Sequence, residues 1–179
     1  MQHDLPVLAE FAAPWSPSLR YTTVVSSALL VALTITGLFA DARHPLLWRA
    51  ALVVVPLAVL LGTLPFTVRG YLLTERYIEV RRLGWYSILP LAGLVSIRGV
   101  PEGLRGSVRI FGNGGLFAIT GWFWNRKMGR FRAYATDPGR LVLLRYADGK
   151  QVVVTPHDVQ HFIVRAKTLA KLSGAGAGL

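Results

Sequence analysis

Five aromatic side chains and four cations share thirteen residues of this chain: Trp122, Phe123, Trp124, Phe131 and Tyr134 interleave with Arg126, Lys127, Arg130 and Arg132. Guanidinium and ammonium groups attract phosphates and carboxylates, and indole rings settle at headgroup level or pack on a partner. Laid out as two strands, the segment puts Trp122 and Trp124 on one face and Arg130 and Arg132 on a face of the next strand, opposite Phe131. A short connection through 125–128 then offers Arg126 and Lys127 at its tip. Beside anionic headgroups each cation is worth about 1 kcal/mol before salt screening. The plainer reading makes half of these aromatics core and leaves the cations solvated. Trp122, Trp124, Arg126, Lys127, Arg130 and Arg132 are the candidate contacts for anionic lipid or an acidic partner.

Two other motifs imitate chemistry. His157-Asp158-Val159-Gln160-His161 has the i, i+4 histidines of a zinc-hydrolase helix. Aspartate is shorter than the glutamate such chemistry uses as a base, and no third ligand is evident. A zinc-dependent hydrolase using His157 and His161 is the remote alternative; the expectation is no metal and no cofactor. Gly112-Asn113-Gly114-Gly115 lacks the Gly-Lys-Ser/Thr ending and the strand-to-helix setting of a phosphate-binding loop. Consecutive glycines fit a bulge or sharp bend in a closing barrel. The acids of the C-terminal half form no evident pair, and no serine has a matching histidine and acid, so no catalytic residue is assigned and the chain is expected not to be an enzyme. With no cysteine, disulfides and thiolate metal sites are excluded.

The elements that position these residues divide by charge. Residues 21–40 carry no charge, and a second apolar stretch covers 47–68. About twenty helical residues span the ~30 Å hydrocarbon core with every backbone group satisfied internally. Residues 1–68 balance Arg20, Arg43 and Arg49 against Asp4, Glu10 and Asp41, so the net charge of +11 lies entirely in 69–179. The expected organisation is an interfacial segment at 1–20, rich in proline and aromatics, and a two-helix transmembrane hairpin at 21–68. A basic domain at 69–172 and a disordered Gly/Ala tail at 173–179 complete it. Ala40-Asp41-Ala42 imitates a signal-peptidase site, but the apolar run exceeds the usual ~7–15 residues of a signal peptide, so the anchor is expected to stay intact.

Arg69, Arg76, Arg81 and Arg82 outnumber Arg43 and Arg49. Charge bias therefore predicts an integral membrane protein with both termini cytoplasmic. An inner-leaflet location explains the basic pI, and nucleic acid is not expected as a partner.

Beyond Arg69, short β-rich runs alternate with turns. Segments 70–73 and 77–83 read as a hairpin; 85–89, 94–98, 107–111, 141–146 and 151–154 are further strands, the last two joined at Asp148-Gly149. Thr155, Pro156 and Asp158 suggest the start of a helix, with Val159, Phe162, Ile163, Ala166, Leu169 and Ala170 on one face.

Gly112-Asn113-Gly114-Gly115-Leu116-Phe117, Gly121-Trp122-Phe123, residues 129–137 and Val154-Thr155-Pro156-His157-Asp158 carry a family likeness. The chain resembles bacterial membrane-anchored pleckstrin-homology (PH)-like proteins, in which a two-span hairpin precedes one PH-like domain. The resemblance implies a bent seven-stranded antiparallel barrel capped by a C-terminal helix, and for a chain of a bacterial family the membrane is the inner (plasma) membrane. Eukaryotic relatives hold inositol phosphates on a basic loop between the first two strands; Thr74-Glu75-Arg76 offers one acid and one base instead. The expected function is a non-enzymatic interaction or assembly module at the membrane surface. Its expected partners are membrane lipid and a protein or a second copy, with an accessory-subunit role in a larger membrane complex as the alternative.

Overall fold

The computed structural model describes residues 6–41 and 43–175. A four-residue strand, β1 (Ala9–Ala12), precedes the first long helix, α1 (Pro17–Phe39). Ser16 caps this helix, its hydroxyl accepting from the Leu19 N–H at 3.1 Å, and Pro17 takes the first helical position, where no N–H partner is needed. Helix α2 (Leu46–Thr63) continues into a 3-10 turn, Leu64–Phe66. The two helices meet at Gly37, where a Cβ would lie 2.8 Å from Leu52 Cβ, so the small residue sets the close approach. Both are long and apolar enough to cross a membrane. Leu29 and Ile35 on α1 and Val54, Val55 and Leu61 on α2 face outward, whereas a soluble core helix would bury them.

The rest is β-rich. Strands β2 (Val68–Leu73), β3 (Tyr77–Arg82) and β4 (Tyr86–Pro90) form an antiparallel sheet in the order β1-β2-β3-β4. A second sheet uses β5 (Leu94–Gly99), β6 (Val108–Leu116), β7 (Ala118–Asn125), β8 (Gly129–Ala135), β9 (Val142–Tyr146) and β10 (Gln151–Val154), ordered β5-β9-β10-β8-β7-β6. Helix α3 (Val159–Ala175) follows. The main core lies between the sheets and α3, joining Tyr71, Ile78 and Val80 to Tyr134, Val142, Val154, Phe162 and Ala166. A second core covers the other face of the six-stranded sheet through Phe123, Phe131, Leu141 and Val153.

Several expectations change in detail. The described strands number ten, because the count of about seven omits β1 and the β7–β8 hairpin. One pair, β8 with β10, is parallel, since the β9–β10 hairpin inserts between β5 and β8. Within the expected surface segment, of which residues 1–5 lie outside the described residues, Ala12 pairs with Gly70 and Ala9 with Leu73, so the helical hairpin is an insertion between two neighbouring strands of one sheet. Helix α3 starts at Val159, not at the Thr155-Pro156 pair, and Asp158 caps it by accepting from the His161 N–H at 2.9 Å. It continues to Ala175, into the expected tail, of which 176–179 lie outside the described residues.

Thr155 serves a buried polar network instead. The Tyr71 hydroxyl donates to the Tyr134 carbonyl at 2.6 Å and accepts from the Thr155 N–H at 3.0 Å. Thr155 Oγ1 accepts from the Thr136 N–H at 2.9 Å, and the Thr136 hydroxyl donates to the Pro14 carbonyl at 2.8 Å. The Ser16 N–H in turn donates to the Thr136 carbonyl. The Tyr-Ala-Thr and Thr-Pro segments of the family likeness thus fasten the chain where it enters α1.

Burial pushes the Tyr71 phenol up to about 12, against hydrogen bonds from Thr155 and the charge of Arg82. Burial, with the charge of Asp148 next, raises Tyr146 to about 12 as well. Both protons are held more tightly in the folded chain than in the unfolded one. Their contribution is complete below pH ~10 and is lost as the pH climbs toward 12. Thermal unfolding in detergent should show stability falling across that window by roughly a few kcal/mol. Tyr71→Phe should lower stability at neutral pH by about 1–3 kcal/mol, because the Thr155 N–H loses its acceptor, and should flatten the alkaline slope.

Candidate interface

Strands β7 and β8 pair so that Trp122 stands directly opposite Arg132 and Trp124 opposite Arg130. Period-two alternation then puts all four on the face that carries Thr120 and Tyr134, while Phe123 and Phe131 fill the second core. The structure therefore unites, as cross-strand pairs, residues that sequence placed on two separate strand faces. The guanidinium carbon of Arg130 lies 4.5 Å from the Trp122 ring centroid, and that of Arg132 lies 5.9 Å from Trp122 and 5.1 Å from Tyr134. Such contacts hold the cations on an apolar platform without removing their charge.

Arg126 and Lys127 occupy the tip and are brought to none of these contacts. Asn125 builds the turn: its Oδ1 accepts from the Lys127 and Met128 N–H groups at 3.0 and 2.7 Å, while its amide donates to the Gly103 carbonyl and the Ser107 hydroxyl. At the other end of β7 the β6–β7 turn meets α1, where the Phe117 N–H donates to Thr23 Oγ1 at 3.0 Å and the Thr22 hydroxyl donates to the Gly115 carbonyl at 3.2 Å. From Ile119 to Asn125 the strand covers about 20 Å, so the tip cations stand far from the base of α1.

Sequence reading gave Arg82, Trp85 and Arg109 no place in the interface. The guanidinium of Arg82 lies 4.3 Å from the Trp85 ring and 4.7 Å from the Tyr134 ring, and the Trp85 indole N–H donates to the Pro65 carbonyl at 2.7 Å. Parity is the signal that could have found Arg82: it falls in step with Ile78 and Val80, both buried. Among the described residues, Arg82, Arg109, Arg126, Lys127, Arg130 and Arg132 take part in none of the ion pairs, which join Arg43–Asp41, Arg81–Glu10, Arg105–Glu102, Arg140–Asp137 and Lys150–Asp148.

The glycine block forms the β6–β7 hairpin and its bulges, with Asn113 Oδ1 accepting from the Gly115 and Leu116 N–H groups. The histidine motif is absorbed into structure. Asp158 caps α3, the His157 N–H donates to the Ala12 carbonyl, and His161 lies against Phe11 with its ring centroids 5.4 Å apart. No group of three or more His, Cys, Asp or Glu side chains fit to hold a metal occurs among the described residues.

An apolar helical hairpin inserted into a two-sheet β domain, which α3 closes and which carries an unpaired cation–aromatic face, defines a PH-like module on a candidate membrane anchor. A family model described as bacterial PH domain matches residues 69–170, and the chain belongs to that family. No curated protein and no solved structure matches the chain. The matched region starts at Arg69 and so leaves out β1, the strand that completes the first sheet. Domains of this kind are generally non-enzymatic interaction modules.

Proposed function

We propose that this chain is a two-span inner-membrane protein whose PH-like domain works at the cytoplasmic face as a non-enzymatic interaction module. The observation that carries the reading is the set of cations without ion pairs on a domain joined directly to two outward-facing apolar helices. Trp122, Trp124, Arg130 and Arg132 form its headgroup-facing surface. Arg126 and Lys127, held at the tip by Asn125, reach past it toward an acidic partner. Positive charge flanking the second span favours the cytoplasmic orientation. The pairing of β1 with β2 supports placing both ends of the hairpin on one side.

The test uses the full chain in phosphatidylcholine nanodiscs, offered vesicles containing phosphatidylglycerol as the anionic surface. Binding should weaken as salt rises. Combining Arg126→Glu, Lys127→Glu, Arg130→Glu and Arg132→Glu should reduce it by about tenfold or more at low salt. Unchanged binding would remove these residues from the interface.

A second reading, an accessory subunit of a larger membrane complex, is favoured by β6. It is an edge strand and exposes Val108, Ile110 and Phe111, a template for pairing with another chain. Extraction in mild detergent as a large assembly supports that reading; a small particle opposes it.

A further inference from the structure

A groove of about 750 Å³ opens where the end of α2 leans over the β6–β8 face, with Gly62 and Phe66 on one wall and Trp122 on the other. Arg82 and Arg132 line it together, whereas the Arg109 side chain reaches over Gly114 on the opposite face of the sheet. Arg82 is only 6% exposed, and its Nε–H has no hydrogen-bond partner among the described residues. Arg82 and Arg132 both stack on the Tyr134 ring, and no carboxylate pairs with either among the described residues. Burial lowers the pKa of Arg82 from its usual value; Tyr134 opposes that effect and the charge of Arg132 adds to it. Two guanidiniums on one ring, one of them buried with a donor unspent, form a site that a phosphate diester would complete.

The wall opposite the sheet identifies the ligand. It is the last stretch of an apolar span, and Gly62 leaves open space beside the helix there. An anion entering by this route comes with acyl chains attached. Resting on the reading of the hairpin as a membrane anchor, we propose that the groove holds one anionic phospholipid from the surrounding leaflet. Its phosphodiester lies between Arg82 and Arg132, and its acyl chains run along Gly62 and Phe66. The lipid would act as a wedge between anchor and domain, separate from the tip cations.

To test this, the full chain is reconstituted in phosphatidylcholine nanodiscs containing a minority of phosphatidylglycerol, re-extracted in mild detergent and weighed by native mass spectrometry. One phosphatidylglycerol should remain per chain, with no enrichment of phosphatidylcholine. Arg82→Gln with Arg132→Gln should lower that occupancy by about tenfold or more. Because loss of buried Arg82 can unfold the domain, Arg132→Gln alone, at an exposed position, is a second variant that should also lower occupancy. Circular dichroism confirms that each variant is folded. Arg165→Gln with Lys167→Gln on α3 should leave occupancy unchanged. A folded wild-type chain that retains no lipid, equal retention of both lipids, or occupancy unaltered in the folded arginine variants overturns the proposal. So does displacement of the lipid by millimolar inorganic phosphate, which would point to a site for free anions. Failure of the anchor reading shows separately, as release of the chain from membranes by alkaline carbonate.

Discussion

Gly121→Val will leave little folded protein: a detergent-purified sample should lose its cooperative thermal transition and elute as aggregate. Gly121 and Gly112 face each other across β7 and β6, with φ of +130° and +119°. Side chains rarely adopt those angles. A Cβ on Gly121 would also run into the Phe111 carbonyl oxygen, and one on Gly112 into that of Thr120. The obstacle is backbone, so relief requires the β6–β7 ladder to part. Strain and overlap together should cost about 4 kcal/mol or more, a large share of the ~5–15 kcal/mol that stabilises an ordinary domain. Gly149→Asn is the matched control: its φ is +81°, its Cβ would meet open space, and asparagine tolerates that region, so the change should stay within about 1 kcal/mol. A Gly121→Val chain with a wild-type transition would show that the strands separate at little cost.

Phe162→Ala is the second large effect, and it should be felt at both ends of the sequence. The ring is fully buried, edge-on to Phe11 at 5.2 Å and to Tyr71 at 6.2 Å. Truncation leaves a cavity between α3, β1 and β2, at about 3–5 kcal/mol. For a chain of this size that is a fall in Tm of about 10 °C. Hydrogen exchange should quicken in Ala9–Ala12 as well as in α3, because Phe11 loses its packing partner. A shift of Tm with exchange in β1 unchanged would mean that the strand is held by its ladder alone.

Local patterns were legible where local forces decide. The charge-free run and the short loop after it give the helical pair, and strict alternation gives β3. The apolar stripe gives the buried face of α3, where Phe162, Ile163 and Ala166 are all in the core. What escaped depends on distant partners. Ala9-Glu10-Phe11-Ala12 is too short to declare a period, and its mate lies beyond the whole hairpin. Thr155 is a good cap by every neighbour rule, yet Tyr71 and Thr136 claim it from elsewhere in the fold. For the interface, residue types marked Trp122, Trp124, Arg130 and Arg132, but their cross-strand matching needed the register. Arg82 was counted only as a flanking charge because a cation was assumed to face water; alternation pointed it inward.

The insertion of the hairpin between two paired strands has a mechanical consequence. Many membrane-tethered modules hang from one flexible lead and sample every orientation above the bilayer. Here the first lead is clamped by Ser16 and Thr136 and by the threonines of α1 on the β6–β7 turn, and the second by Trp85 on Pro65. With the hairpin as the proposed anchor, two short leads fixed to one body suppress swivelling and turn one azimuth of the domain to the leaflet. Little of the interaction energy is then spent on ordering, so contacts too weak to recruit a free domain suffice to hold this one in register. A change in the crossing of α1 and α2 would in turn be passed directly to the β1–β2 strand pair, making the domain a rigid reporter of the state of its own anchor.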